Sequence, residues 1–165
     1  MVAPTEQRPG RAAGLRIAYF CAVLATGLAL GPALAHLFAL PNKIGLPRDE
    51  YFVTQLAYRG WNLLGIVAQV VTMTAAAILT RRDSHLLWPI IAAIACVVGA
   101  QLVFWIFTYP TNVATANWTV KPDNWEALRR NWEYSHAAGA ILQFLALCAL
   151  AAAVLARDRQ ADLTQ

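Results

Sequence analysis

His36, Asn62, Gln101, His136 and Gln143 stand inside or at the rim of otherwise apolar stretches of this chain. Their types suit proton transfer and hydrogen bonding. An imidazole titrates near neutral pH and serves as a base or an axial ligand, and an amide can hold an oxygen substituent by its donor or acceptor. No Asp, Glu or Lys lies within those stretches, which leaves little to couple ion transport. The remaining histidine, His85, falls in a short polar turn and reads as a surface residue.

The elements that must position these groups are four apolar runs, Leu15–Leu40, Ala57–Thr80, Leu86–Thr108 and Tyr134–Ala156. Each is long enough as a helix to cross a hydrocarbon core, which takes about 20 residues. The composition agrees, with 59% hydrophobic and 13% charged residues. Backbone polar groups in lipid must be satisfied within the segment, and no period-two alternation is present, so the runs are expected to be helices. The expected fold is all-α: an integral membrane four-helix bundle in up-down-up-down order, spanning residues 15–156. Residues 1–14 read as a disordered cytoplasmic lead and 157–165 as a cytoplasmic tail.

Arg81 and Arg82 occupy the short turn between the second and third runs, and Arg8, Arg11, Arg16, Arg157 and Arg159 fall on the same side. The positive-inside rule therefore places both termini in the cytoplasm, in a cell (plasma or inner) membrane. With that orientation His36, Asn62, Gln101, His136 and Gln143, one or more from each helix, share the outer half of the bilayer. Trp105 sits between Gln101 and the surface. The inner half offers only Thr26, Thr72, Thr74 and the cysteines. A pocket open to the outer face is the expectation, with hydrogen bonding between helices as the ordinary alternative for the amides.

The segment Tyr109–Glu133 reads as an outer loop that carries Trp118, Trp125 and Trp132. Asp123 and Glu126 have the spacing of a helix cap. From Asn124 no breaker follows, so the fourth helix should extend on the outer side. Trp125, Leu128, Trp132, His136, Gly139 and Gln143 then form one stripe. The first helix should end at Pro41-Asn42. The tryptophans also have the bland reading of an interfacial belt.

Cys21, Cys96 and Cys148 lie within spans and lack metal-ligand spacing, so they read as small packing residues and no metal site is expected. The net charge of +4 is spread along the chain and does not describe a nucleic-acid surface. Ala33-Leu34-Ala35 resembles a signal cleavage site, but the apolar run continues past it, which favours a span.

Asn112, Asn117 and Trp118, then Trp125, Arg129, Trp132 and His136 entering the last span, resemble the carboxy-terminal signature of the anthrone-oxygenase-like family. Its members are small four-span membrane proteins, many known only as a domain of unknown function. The run Trp132-Glu133-Tyr134-Ser135-His136 matches its Trp-x-x-x-His element; Gly139 stands where the family often has Arg. The resemblance implies an oxidoreductase acting without an evident bound cofactor on an aromatic, hydroquinone- or anthrone-like molecule. His136 would be the base, Asn117 or Asn112 would bond the developing enolate oxygen, and Trp125 and Trp132 would wall the substrate. His36, Asn62, Gln101, Trp105, Trp118 and Gln143 complete the expected pocket. Two alternatives stay open: a haem b or quinone-binding subunit, with His36 and His136 as axial ligands, and a non-catalytic accessory or assembly subunit of a larger membrane complex; a homo-oligomer is open as well.

Overall fold

The computed structural model describes residues 9–58 and 64–162, and every regular element among them is helical. The helices are α1 (Pro9–Lys43), α2 (Arg48–Gln55), α3 (Leu64–Thr80), α4 (Ser84–Val103), α5 (Tyr109–Ala114) and α6 (Trp125–Asp162). A 3₁₀ turn, Leu56–Tyr58, follows α2, and a stretch of π-helix, Phe104–Thr108, joins α4 to α5. Among the described residues, three stretches are long and apolar enough to cross a membrane: Ala12–Lys43, Ser84–Ala114 and Trp125–Arg157. Ile66–Thr80 is a shorter apolar helix. Asn62, Trp61 and Arg59 lie outside the described residues, as do 1–8 and 163–165.

Helix α1 packs against α3 and α6, and α4 packs against α3 and α6. Leu15 shares a cluster with Ala153, and Lys43 at the other end of α1 meets Glu133, so α1 and α6 run antiparallel. Small side chains set the spacing in between. Ala22, Ala93 and Ala146 are fully buried beside Met73, Val97 and Leu150, which lets the backbones approach closely. Large apolar side chains point outward: Phe20, Leu28 and Phe38 on α1, Trp88 and Leu102 on α4, Phe144 and Leu155 on α6. Such continuous apolar coverage suits lipid, whereas soluble proteins expose only limited patches of it.

Several boundaries differ from expectation. Helix α1 starts at Pro9, where a missing N–H costs nothing in a first turn, so part of the expected lead is helical. It also continues through Pro41 to Lys43, because Ile44 N–H bonds Leu40 carbonyl at 2.9 Å and carries the helix past the proline. Residues 109–114 are helical rather than loop. Pro110 cannot donate; just before it, Tyr109 N–H bonds Phe104 carbonyl, five residues back. That π turn absorbs the mismatch. At the start of α6 the carbonyl of Asn124, not Asp123, takes the first bonds, from Ala127 and Leu128. Asp83 does cap α4, accepting from the His85 and Leu86 amides. Helix α6 has 38 residues and so is about 57 Å long at 1.5 Å per residue.

Mid-bundle, Gln69 Nε2 donates to Gln143 Oε1 at 2.8 Å, with both residues buried. Gln143→Leu alone leaves Gln69 without a partner and should cost about 1–2 kcal/mol. Replacing both by Leu should recover most of that loss. Thermal unfolding of the three variants in detergent checks the pattern.

Candidate functional site

The site lies where α1 ends and α6 begins. His36 of α1 and His136 of α6 stack face to face, ring centroids 4.3 Å apart and planes 24° apart. Trp132, one turn before His136, lies 4.1 Å from that ring and meets His36 edge-on at 5.0 Å. Tyr58 covers His36 at 4.1 Å. The i, i+4 spacing of Trp132 and His136 puts both on the helix face that α1 covers.

Trp132 also connects the imidazoles to a cavity. Its indole N–H donates to Asn112 Oδ1 at 2.9 Å. Asn112 lines a cavity of about 300 Å³ with Phe104, Tyr109, Val113, Ala116 and Asn117. The turn forming part of that wall is strained. Ala116, Asn117 and Trp118 have φ of 46°, 54° and 65°, in the left-handed region that non-glycine residues avoid at a cost of about 1–3 kcal/mol each. Asn117 N–H to Asn112 carbonyl (2.7 Å) and Trp118 N–H to Thr115 Oγ1 (3.1 Å) hold it. The turn sends Trp118 inward against Tyr51, Phe52 and Trp132.

Beside the aromatic cluster is a buried ion pair. Lys43 Nζ lies 3.0 Å from Glu133 Oε1, with 4% and 0% of the side chains exposed. Tyr51 hydroxyl donates to the same oxygen at 2.8 Å and Gln55 Nε2 at 3.4 Å. Burial and the adjacent Glu133 carboxylate push the Tyr51 phenol well above its ordinary range, so it remains a donor. The ammonium also sits over the rings of Tyr58 (4.7 Å) and Trp132 (5.2 Å). Arg129 closes this end: it donates to Leu46 carbonyl at 2.7 Å, and its guanidinium lies 4.5 Å from the Trp125 ring centre.

Helix α2 is held down by these contacts and by an exposed one, Lys121 Nζ to Asp49 Oδ1 at 2.6 Å. The hydrogen bond and charge of Lys121 hold the Asp49 carboxyl below the usual range. A depressed pKa stabilises the fold above the unfolded value, about 3.9, and the contribution disappears as pH falls through the folded value. Amide exchange in α2 should therefore be faster in Asp49→Asn than in the native chain at pH 7. The difference should shrink as pH falls below the ordinary carboxylate range and through the lowered folded value.

The structure thus gathers His36, His136, Asn112, Trp118, Trp125 and Trp132 of the expected set. Others are placed elsewhere. Trp105 is 56% exposed and packs edge-on against Phe104 and tilted against Tyr109 rather than on either imidazole. Gln143 is bonded to Gln69, seven positions beyond His136 on α6. Gln101, half-buried on α4, precedes the π turn and joins none of the clusters above. Asn117 is an exposed part of the cavity wall rather than a neighbour of the imidazoles. Lys43, Tyr51, Gln55, Tyr58 and Glu133 were not expected. The available signal was the seven-residue spacing of His36 and Lys43 and the i, i+3 spacing of Glu133 and His136.

The imidazole pair does not fit haem ligation through both histidines. Axial imidazoles point their nitrogens at iron from opposite sides of a porphyrin. Rings stacked face to face at 4.3 Å leave no room for that plane between them.

No protein-family model, curated protein or solved structure matches this chain.

Proposed function

We propose that this chain is a membrane-bound oxidoreductase for an aromatic, hydroquinone- or anthrone-like substrate. In this reading α1, the segment containing α3, α4 with α5, and α6 form four spans in up-down-up-down order. Both termini are cytoplasmic, and the His36–His136 end faces the outside of the plasma membrane. The observation that carries the reading is the continuity from cavity to base. Asn112 lines the cavity and holds the Trp132 indole, and Trp132 packs on both imidazoles. A cavity of about 300 Å³ is at the lower end of the range for small-ligand sites.

In the chemistry proposed, His136 takes a proton from the substrate and Asn112 or Asn117 bonds the developing enolate oxygen. The electron-rich carbanion then reacts with dioxygen. For an anthrone, the ring methylene loses its hydrogens and gains one oxygen atom, and the second oxygen atom leaves as water. Phe104 and Tyr109 supply apolar walls to the same cavity. The resemblance of the Trp132-to-His136 run to the anthrone-oxygenase-like family points the same way. The test is dioxygen uptake by the purified protein in nanodiscs supplied with anthrone. Uptake above the rate of empty nanodiscs, and dependent on His136, supports the reading; uptake equal to that background refutes it.

A further inference from the structure

Glu133 is bonded asymmetrically. Lys43, Tyr51 and Gln55 all converge on Oε1, while Oε2 is buried with no hydrogen-bond partner among the described residues. Lys43 Nζ lies 3.0 Å from Oε1 and has no further hydrogen-bond partner among the described residues, so the buried ammonium retains N–H groups to donate. A carboxylate that only tied α1 and α2 to α6 would gain by sharing these donors between both oxygens, because a buried acceptor without a donor is costly. The side chains around the pair are aromatic: Lys43 lies over Trp132 and Tyr58, and Trp132 precedes Glu133 in sequence.

We propose that Glu133 Oε2 and the Lys43 ammonium form an oxygen-recognising subsite for an aromatic ligand with two neighbouring oxygens. One would be a hydroxyl that donates to Glu133, the other an oxygen that accepts from Lys43. Catechols and ring systems with a hydroxyl beside a carbonyl have this pattern. The assignment rests on the reading of the site as an aromatic pocket and narrows the substrate class. It makes Lys43 and Glu133 substrate-binding residues in addition to their role in the fold.

Calorimetry in nanodiscs, corrected against empty nanodiscs, compares 2,3-dihydroxynaphthalene with 2,3-dimethoxynaphthalene. The same rings are presented with and without the donating hydroxyls. The diol should bind at least tenfold tighter than the diether. In Lys43→Met/Glu133→Leu, which removes the pair together, the ratio should fall to about one. Glu133→Gln, closer in shape, should lower the ratio at least threefold, with circular dichroism confirming that each variant is folded. Equal binding of diol and diether to the native chain overturns the subsite and leaves the aromatic pocket standing. A ratio that survives the paired replacement overturns the assignment to Lys43 and Glu133. Binding of neither compound overturns both the subsite and the aromatic reading.

Discussion

Replacing His136 by alanine is expected to lower turnover of an anthrone-like substrate by a factor of about 100 to 10,000, the usual contribution of a positioned general base. That corresponds to about 3–5 kcal/mol of barrier. His136 is the imidazole nearer Trp132, at 4.1 Å against 5.0 Å for His36, and Trp132 in turn is held by the cavity residue Asn112. The loss should therefore fall on kcat, with KM changed much less, because the aromatic walls of the cavity are untouched. His36→Ala should give a smaller loss. His36 stacks on the back of the base and sets its ring plane, so it is a positioning residue. Single-turnover kinetics separate the two. A His136→Ala variant that turns over at the native rate would remove the base from the account.

The second large effect is on stability. Glu133→Leu should cost about 3–5 kcal/mol, because removing one partner of a buried ion pair leaves the other charge uncompensated. Here the Lys43 ammonium loses its counter-charge, and the Tyr51 hydroxyl and the Gln55 amide lose their acceptor. Lys43→Met/Glu133→Leu should recover more than half of that cost, since an apolar pair of similar volume commonly replaces a buried ion pair without loss. The recovery stays incomplete because Tyr51 still lacks an acceptor. Thermal unfolding in detergent gives the cycle, and amide exchange locates it. Exchange in α2, which carries Tyr51 and Gln55, should rise most in the single variant. Equal melting temperatures for the native and Glu133→Leu chains would contradict the placement of the pair in the core.

How much of this was legible in the residues depends on direction. Depth along a span follows from counting, so the pairing of His36 with His136 and the Trp125–His136 stripe could be read before any coordinates. Rotation about the helix axis could not. Trp105 has a suitable depth, but the π turn at Phe104–Thr108 inserts an extra residue into the helical period and turns the following face. Gln143 lies on the expected stripe, yet its amide is taken up by Gln69 one level deeper in the bundle.

The charged half of the site was hidden for a different reason. Lys43 and Glu133 flank apolar runs, where charge ordinarily sets topology or meets headgroups. Only the extension of α1 past Pro41 and the antiparallel approach of α6 bring them together. Local rules ended α1 two residues early, at the proline, and so left Lys43 in a loop. The strained turn at Ala116–Trp118 was equally out of reach, since none of its residues is glycine.

The most direct test of the central claim is the fate of labelled dioxygen. Purified protein in nanodiscs is given anthrone under ¹⁸O₂, and the quinone and water formed are analysed by mass spectrometry. One labelled oxygen atom is expected in each quinone and one in water, at a rate above empty nanodiscs and lost in His136→Ala. Quinone formed no faster than in empty nanodiscs, or formed without label, would contradict it.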